Sequence, residues 1–236
     1  MLSNGPHSMV IQTVKRLVRR SPRLTRALGS AYRLLSGPFP GSQDYWVKRY
    51  EKGGNSGPGS YSELAKFKAK LLNSFVSEHQ IASVMEFGCG DGNQLELAEY
   101  PKYKGFDVSP VAVERCRARF AKDSTKSFAL LAQHAGETAE LAMSLDVIYH
   151  LVEDRVFEAH LRAVFGAATR FVAVYSTNRD APDDAGLPHV RHRRFTDFVD
   201  RELPGWKLIR NEKQPNAYSG DITQSSLAEF FLFQKS

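Results

Sequence analysis

Three glycines at alternate positions, Gly88, Gly90 and Gly92, are the residues of this chain best suited to ligand binding. A side chain at these positions would keep the backbone away from a ligand, and glycine adopts turns that other residues resist. About 20 residues later, an apolar segment ends at Asp107, whose carboxylate can accept hydrogen bonds from both hydroxyls of a ribose. The turn and the acid together predict a nucleoside-binding site.

Short apolar segments separated by helical patterns indicate how these residues are positioned. Strands are predicted at 81–87, 104–108, 127–133, 141–149, 170–176, 206–210 and 227–234. Helices are predicted at 62–77, after Asn93, from Ser109 and Pro110, from Glu153 and at 195–199. This alternation is typical of a parallel sheet with helices on both faces. Ligands bind to such sheets at the carboxyl ends of the strands.

Taken as a set, these motifs resemble those of the class I S-adenosylmethionine-dependent methyltransferases. Residues 86–92 match their first motif, Asp107 their ribose-binding acid, and residues 144–150 their fourth-strand motif. A dinucleotide fingerprint would need a glycine where this chain has Asn93. The resemblance implies an α/β, Rossmann-like three-layer sandwich. Its seven-stranded sheet is mostly parallel and ends in a C-terminal antiparallel hairpin.

The resemblance also implies S-adenosylmethionine as the cofactor and a set of residues that bind it. These are Trp46, Arg49, Glu86, Gly88, Cys89, Gly90, Asn93, Asp107, Val108, Gln133, His134 and Asp146. Arg49 is expected to meet the methionine carboxylate. Gln133 and His134 are expected at the adenine edge, where many relatives of this fold carry an acid.

His150 is the predicted catalytic residue, because it follows the fourth predicted strand within a run similar to that of small-molecule methyltransferases. Methyl transfer from a sulfonium depends mostly on positioning. A histidine can add a base that removes the proton of an attacking hydroxyl near neutral pH. Tyr149 replaces the glutamate of the family's run, so the base role and a structural role of His150 both stay open.

A segment rich in histidine and arginine, residues 189–194, follows the fifth predicted strand. In methyltransferases of this type, loops at this place usually build the acceptor pocket, and such side chains suit a phosphate or carboxylate. The predicted acceptor residues are Tyr149, His189, Arg191, His192 and Arg193. The alternative is a solvated helix start. No cysteine accompanies the two close histidines, so we predict no metal site.

Residues 1–41 are interpreted as a basic N-terminal extension and linker, and 42–236 as the methyltransferase domain. The basic amphipathic pattern at 10–35 suits weak contact with a membrane surface, or helices that lie on the domain or on a second subunit. Within the domain, 42–77 are interpreted as a cofactor-covering lid and a helix. The alternative for the aromatic and glycine-rich part, 45–60, is a solvated linker anchored by Trp46.

Composition favours one soluble enzyme domain. The chain has 236 residues, a net charge of +6 and only two cysteines, which fits a single α/β domain in a reducing cytoplasm. No apolar run approaches the roughly 20 residues of a membrane span.

The sequence therefore predicts methyl transfer to a small-molecule or glycan acceptor, most plausibly at a hydroxyl and with an anionic acceptor. An RNA methyltransferase is the first alternative, because the N-terminal segment is basic. Nucleic acid is disfavoured because aromatics do not alternate with these arginines, and no Asn-Pro-Pro-aromatic motif is present. The second alternative is a cofactor-binding domain without turnover.

Overall fold

The computed structural model describes residues 39–181, 187–215 and 225–236. The basic amphipathic segment at 10–35 and the first part of the predicted linker lie outside these residues, so their predicted roles stay predictions.

The described chain is built on one seven-stranded sheet. Its strands are β1 Val84–Phe87, β2 Tyr103–Asp107, β3 Lys126–Leu130, β4 Ala139–Leu145, β5 Ala168–Ser176, β6 Trp206–Lys213 and β7 Glu229–Lys235. Their order across the sheet is β3-β2-β1-β4-β5-β7-β6, with β7 antiparallel to both β5 and β6 and the other pairs parallel. The predicted mostly parallel sheet with a closing antiparallel hairpin is confirmed.

Five α-helices accompany the sheet in the described residues: α1 Ser42–Glu51, α2 Ser62–Glu78, α3 Pro110–Arg119, α4 Asp154–Ala167 and α5 Phe195–Glu202. One apolar core contains side chains of α2 and α3, and the other contains side chains of α4 and α5. Strand β1 contributes Val84 to the first core and Met85 to the second, and all four of its residues are buried. Burial on both faces explains why three of the four residues of this strand are apolar, with Glu86 the exception.

Helix α3 begins as its sequence predicts. The Ser109 side chain accepts a hydrogen bond from the backbone N–H of Ala112, and Pro110 occupies the first helical position. Of the helices in the described ranges, none combines the length and the apolar character that a membrane crossing requires.

Several predicted boundaries are wrong, and three of them follow the carboxyl ends of strands. The helix expected after Asn93 is only a 3₁₀ turn, Gln94–Leu97, because β2 starts at Tyr103 and Pro101 disfavours helical backbone before it. The third strand ends at Leu130, and a 3₁₀ turn follows. The fourth ends at Leu145, because Asp146 takes a positive φ of 59° and a 3₁₀ turn, Ile148–His150, follows.

Candidate functional site

The glycine turn lies directly after β1, and its glycines are required by backbone conformation and by close packing. Gly88 and Gly90 have φ values of 94° and 59°, a region that side chains disfavour. A Cβ at Gly88 would lie 2.5 Å from Val147 Cγ2, and one at Gly90 would clash with Ser56 Oγ. The turn therefore leaves no room for side chains between β1 and the segments that cover it.

Asp107 ends β2 and faces this turn. Its Oδ2 accepts a 2.9 Å hydrogen bond from the backbone N–H of Gly90, and Oδ1 accepts one of 2.9 Å from that of Ser109. Burial raises the pKa of the Asp107 carboxyl to about 6, although these N–H donors favour its ionised form. Each carboxylate oxygen keeps a further lone pair, so the group can still accept bonds from two hydroxyls.

A cavity of about 500 Å³ opens beside the turn and Asp107; we call it the cofactor cavity. Its wall includes most of the predicted cofactor residues and the predicted base: Trp46, Glu86, Gly88, Cys89, Gly90, Asp107, Val108, His134, Asp146 and His150. The volume is within the range of small-molecule and cofactor sites. The structure thus brings together residues from the segment before β1 and from the ends of β1 to β4.

Three predicted cofactor residues do not line this cavity. Asn93 donates from Nδ2 to the backbone carbonyl of Ser60, which ties the glycine turn to the preceding segment. Gln133 is used locally, because its Oε1 accepts a bond from the Leu130 N–H. Arg49 lines a neighbouring cavity, where its guanidinium lies over the Trp46 ring and Nε donates to the Asn55 carbonyl.

Glu86 is buried inside the cavity wall. Its Oε2 accepts a 2.6 Å hydrogen bond from the Tyr103 hydroxyl. Burial raises the pKa of the Glu86 carboxyl to about 7, so a large share of the molecules carry a neutral carboxyl near neutral pH.

The neighbouring cavity has a volume of about 320 Å³; we call it the acceptor cavity, after the predicted acceptor residues in its wall. Its wall includes the predicted acceptor residues Tyr149, His189 and His192, together with Tyr45, Arg49, Thr177 and residues of the 225–228 segment. Four residues line both cavities: Trp46, Ser56, Asp146 and His150. The two cavities therefore share a wall at the end of β4.

His150 stands in this shared wall among other rings. Its ring lies edge-on to Trp46 at 5.0 Å and stacks on His189 at 5.5 Å. Nδ1 is 3.0 Å from the carbonyl oxygen of His189. Since a carbonyl only accepts, Nδ1 carries the hydrogen and Nε2 carries the lone pair of the neutral ring. Burial lowers the pKa of His150 to about 4, which keeps the ring neutral at pH 7.

Asp146 joins the two cavities through a buried ion pair. Its Oδ2 accepts a 2.6 Å bond from Nζ of Lys68 in α2, and Oδ1 accepts one of 2.7 Å from the Tyr149 hydroxyl. The Lys68 side chain is only 1% exposed. Positive φ at a residue other than glycine persists where its surroundings fix it, and such positions cluster at functional sites.

Arg191 and Arg193 do not line either cavity, contrary to their predicted acceptor role. Both pair with Asp154 at the start of α4, and both donate to the Val152 carbonyl. Arg193 also lies over the Phe157 ring at 4.5 Å. These arginines fasten the 189–194 segment to the start of α4, because Asp154 and the backbone carbonyl of Val152, which precedes the helix, accept their hydrogen bonds.

The segment before β1 is bonded to the glycine turn. Ser56 and Asp91 exchange two bonds, from Ser56 N–H to Asp91 Oδ2 at 3.1 Å and from Asp91 N–H to Ser56 Oγ at 3.0 Å. Tyr61 donates to the same Asp91 oxygen. At the start of α1, Ser42 donates twice to Glu153. Residues of the predicted lid thus form part of the cofactor cavity's wall, whereas their covering of a cofactor and their ordering by it stay predictions.

Several residues of the site were missed from the sequence. Lys68, Gln94, Ser56 and His160 all line the cofactor cavity. Lys68 could have been identified from the sequence, because it falls at helical spacing between Leu64 and Leu72 in an otherwise apolar stripe. The other three had none. In the described parts of the chain, no group of three or more His, Cys, Asp or Glu residues could hold a metal ion.

No family model matches the chain, and no curated protein sequence matches it. Several solved protein structures do match this chain. Magnesium protoporphyrin IX methyltransferase (ChlM) from Synechocystis PCC 6803, with bound S-adenosylhomocysteine, has a TM-score of 0.60 and 13% identity, over 82% of this chain and 98% of that one. N-methyltransferase NodS from Bradyrhizobium japonicum WM9, in complex with S-adenosylhomocysteine, has a TM-score of 0.58 and 17% identity, over 73% and 87%.

A third structure, the methyltransferase domain of bacterial CtHen1-C, has a TM-score of 0.56 and 18% identity, over 71% of this chain and 96% of that one. Each of the three solved chains is a methyltransferase. The mostly parallel seven-stranded sheet with its C-terminal antiparallel hairpin agrees with this likeness. The chain therefore has the fold of the class I S-adenosylmethionine-dependent methyltransferases.

Proposed function

We propose that this protein transfers a methyl group from S-adenosylmethionine to a hydroxyl of a small-molecule or glycan acceptor. The observation that carries the proposal is the wall shared by the two cavities at Trp46, Asp146 and His150. Group transfer needs donor and acceptor in adjoining sites with their reacting atoms close together. The cofactor cavity suits the donor, and the acceptor cavity suits the second substrate.

The residues of the cofactor cavity fit S-adenosylmethionine. Asp107 keeps accepting capacity for two ribose hydroxyls, and the glycine turn allows a ligand to approach the backbone. When bound, the cofactor supplies a methyl group on a positively charged sulfur. Val108 and His134 line the same cavity and would flank the adenine.

His150 supports a hydroxyl acceptor. Its neutral ring presents Nε2 as the basic nitrogen, because Nδ1 donates to the His189 carbonyl. The residue lines both cavities, so it is placed to take the proton that the acceptor hydroxyl loses. Its low pKa makes it a weak base. Positioning therefore supplies most of the acceleration, and His150 assists.

The acceptor cavity favours a small acceptor. A volume of about 320 Å³ suits one small molecule or the end of a glycan. Tyr45 stacks on His189 at 4.5 Å, so aromatic rings form part of the wall. The prediction of an anionic acceptor loses the support of Arg191 and Arg193, because both side chains pair with Asp154. Arg49 lines this cavity and not the cofactor cavity, so it supports an anionic acceptor better than its predicted contact with the methionine carboxylate.

Calorimetric titration with S-adenosylhomocysteine tests the cofactor assignment. We expect the parent protein to bind it, and Asp107→Ala to lower the affinity about 100-fold, since two hydrogen bonds to a charged group are lost. Asp197→Ala, on the first turn of α5 outside both cavities, is the control and should bind as the parent does. Equal affinity of Asp107→Ala and parent would contradict the ribose role. Binding of NAD in place of S-adenosylhomocysteine would contradict the proposed function.

A screen of sugars, glycans, small alcohols and RNA for turnover to S-adenosylhomocysteine would then identify the acceptor. Turnover with RNA alone would favour the alternative acceptor. A cytoplasmic location, expected from the two cysteines, stays a prediction.

A further inference from the structure

Arg49 is the only lysine or arginine among the described residues that line the acceptor cavity, and most of its guanidinium is unused. Its Nε donates a 2.8 Å hydrogen bond to the Asn55 carbonyl, and Cζ lies 5.4 Å from the centroid of the Trp46 ring. The N–H groups of Nη1 and Nη2 bond no described residue. A Cβ added at Gly57, another residue of this wall, would meet only Nη2, at 4.0 Å. The guanidinium is therefore held by its Nε side, and its Nη side faces open space.

The other charges of this wall do not balance Arg49. Asp146 is the only acid among the described residues of the wall, and its carboxylate already pairs with Lys68 at 2.6 Å. Burial and the nearby charge of Arg49 both lower the pKa of His189, so this ring is neutral at pH 7. No described carboxylate forms an ion pair with Arg49 itself. The wall therefore carries at least one unbalanced positive charge, which attracts an anion.

The separation of Arg49 from the predicted base limits the size of the ligand. Trp46 packs against both side chains, since its ring centroid lies 5.4 Å from Arg49 Cζ and 5.0 Å from the His150 ring centroid. The guanidinium and the imidazole are therefore at most about 10 Å apart. One small molecule, or the terminal sugar of a glycan, can place a hydroxyl beside His150 and an anionic group beside Arg49.

We propose that Arg49 binds a carboxylate or phosphate group of the acceptor through Nη1 and Nη2, while the hydroxyl that is methylated lies beside His150. The inference rests on the proposed function and narrows its substrate class to small hydroxyl compounds that carry an anionic group. A planar guanidinium can donate two parallel hydrogen bonds to either anion. Arg49 thus determines specificity, because a neutral acceptor would leave its charge unpaired.

Titrations followed by NMR test this anion site without the natural acceptor. The protein is saturated with S-adenosylhomocysteine, and the probes are acetate, inorganic phosphate and acetamide, which has the shape of acetate without its charge. Acetate or phosphate should shift the ring signals of His150 and His189, with an affinity at least about 10-fold higher than that of acetamide. The anion that binds more tightly shows whether the acceptor group is a carboxylate or a phosphate.

Three variants locate the binding on Arg49, which lies partly exposed on α1, so that its substitution should not unfold the chain. Arg49→Met should weaken the binding of the tighter anion at least about 10-fold, because charged hydrogen bonds are lost, and should keep the affinity for S-adenosylhomocysteine within about 2-fold. Arg49→Lys keeps the charge without the planar fork and should fall between Arg49→Met and the parent. Arg201→Met is the matched control, because Arg201 lies over the Phe198 ring outside both cavities and should not affect any probe.

Three results would overturn the inference and leave the proposed function standing. Equal affinity of the parent for acetamide and both anions would mean that the cavity does not select charge. Parental anion binding in Arg49→Met would mean that the anion lies elsewhere. An affinity of Arg49→Met for S-adenosylhomocysteine that falls about 10-fold or more would place Arg49 at the methionine carboxylate instead. A parent protein that does not bind S-adenosylhomocysteine would overturn the proposed function itself.

Discussion

The cofactor cavity and the acceptor cavity share a wall, but their parts come from the chain in different ways. The glycine turn and Asp107 stand at the ends of neighbouring strands, and a direct bond from Gly90 to Asp107 connects them. The acceptor cavity takes its wall from 45–59, 146–150, Thr177, 187–192 and 225–228. Both cavities need distant segments to meet, but the first has one local motif at its centre and the second has none. Nine of the twelve predicted cofactor residues line the first cavity and three of the five predicted acceptor residues line the second, and the roles of all of them stay predictions.

Breaking the shared wall should have the largest effect, because it belongs to both cavities. We expect Lys68→Met to destabilise the protein by about 3–5 kcal/mol, since it leaves the Asp146 carboxylate without its buried partner. The double variant Lys68→Met with Asp146→Asn should regain much of this loss. Urea unfolding measures both values.

Lys66→Met is the matched control for this experiment. Lys66 pairs with Glu63 on the exposed surface of the same helix, so its loss should cost less than about 0.5 kcal/mol. Equal effects at Lys66 and Lys68 would show that the buried pair does not hold the wall together.

The next effect should fall on catalysis alone. We expect His150→Ala to lower the methylation rate about 100-fold, the range for loss of a general base, with the affinity for S-adenosylhomocysteine nearly unchanged. The rate is measured with the acceptor found in the turnover screen, and the affinity by calorimetry. If His150→Ala methylates at the rate of the parent protein, positioning alone accounts for catalysis. A matching fall in affinity would place His150 in the cofactor site only.

A smaller effect is expected on the pH dependence of the protein's stability, and it arises from Glu86 in the cofactor cavity. Burial raises the pKa of Glu86 to about 7 in the folded protein, against an ordinary value near 4.5. The folded state therefore holds a proton that the unfolded state has lost between these values. The stability from this group is fully present below about pH 4.5 and is lost as the pH rises through 7. Between pH 5 and 8 the parent should lose about 2 kcal/mol more stability than Glu86→Gln.

Urea unfolding of both proteins at the two pH values measures this difference. The comparison with the variant matters because Asp107 has a raised pKa of the same sign, whereas His150 and His160 have pKa values lowered to about 4 and act in the opposite direction. The amide oxygen that Glu86→Gln introduces can still accept the Tyr103 hydroxyl bond. Parallel pH profiles for parent and variant would show that Glu86 is ionised in both states.

The sequence alone determined the strands, the glycine turn and Asp107, whereas the closing hairpin was expected from the resemblance to a methyltransferase family. The strands and the turn depend on residues close together in the chain, and on backbone conformations that glycine and a Ser-Pro helix start favour. The predicted strand ends were wrong where the backbone leaves the strand conformation, as at Asp146. A positive φ in a residue other than glycine has no signature in the local sequence.

Only the tertiary structure decided the partners of the charged side chains. The sequence placed the arginines of 189–194 at the acceptor, but folding sets Arg191 and Arg193 against Asp154. The sequence assigned no role to Lys68. Folding buries this lysine against Asp146, which is 78 residues away in the chain, in the wall between the cavities. The physical reason is the same in both cases. Composition shows that a charge is present, but its energy depends on burial and on which opposite charge lies within a few ångströms, and the packed fold sets both.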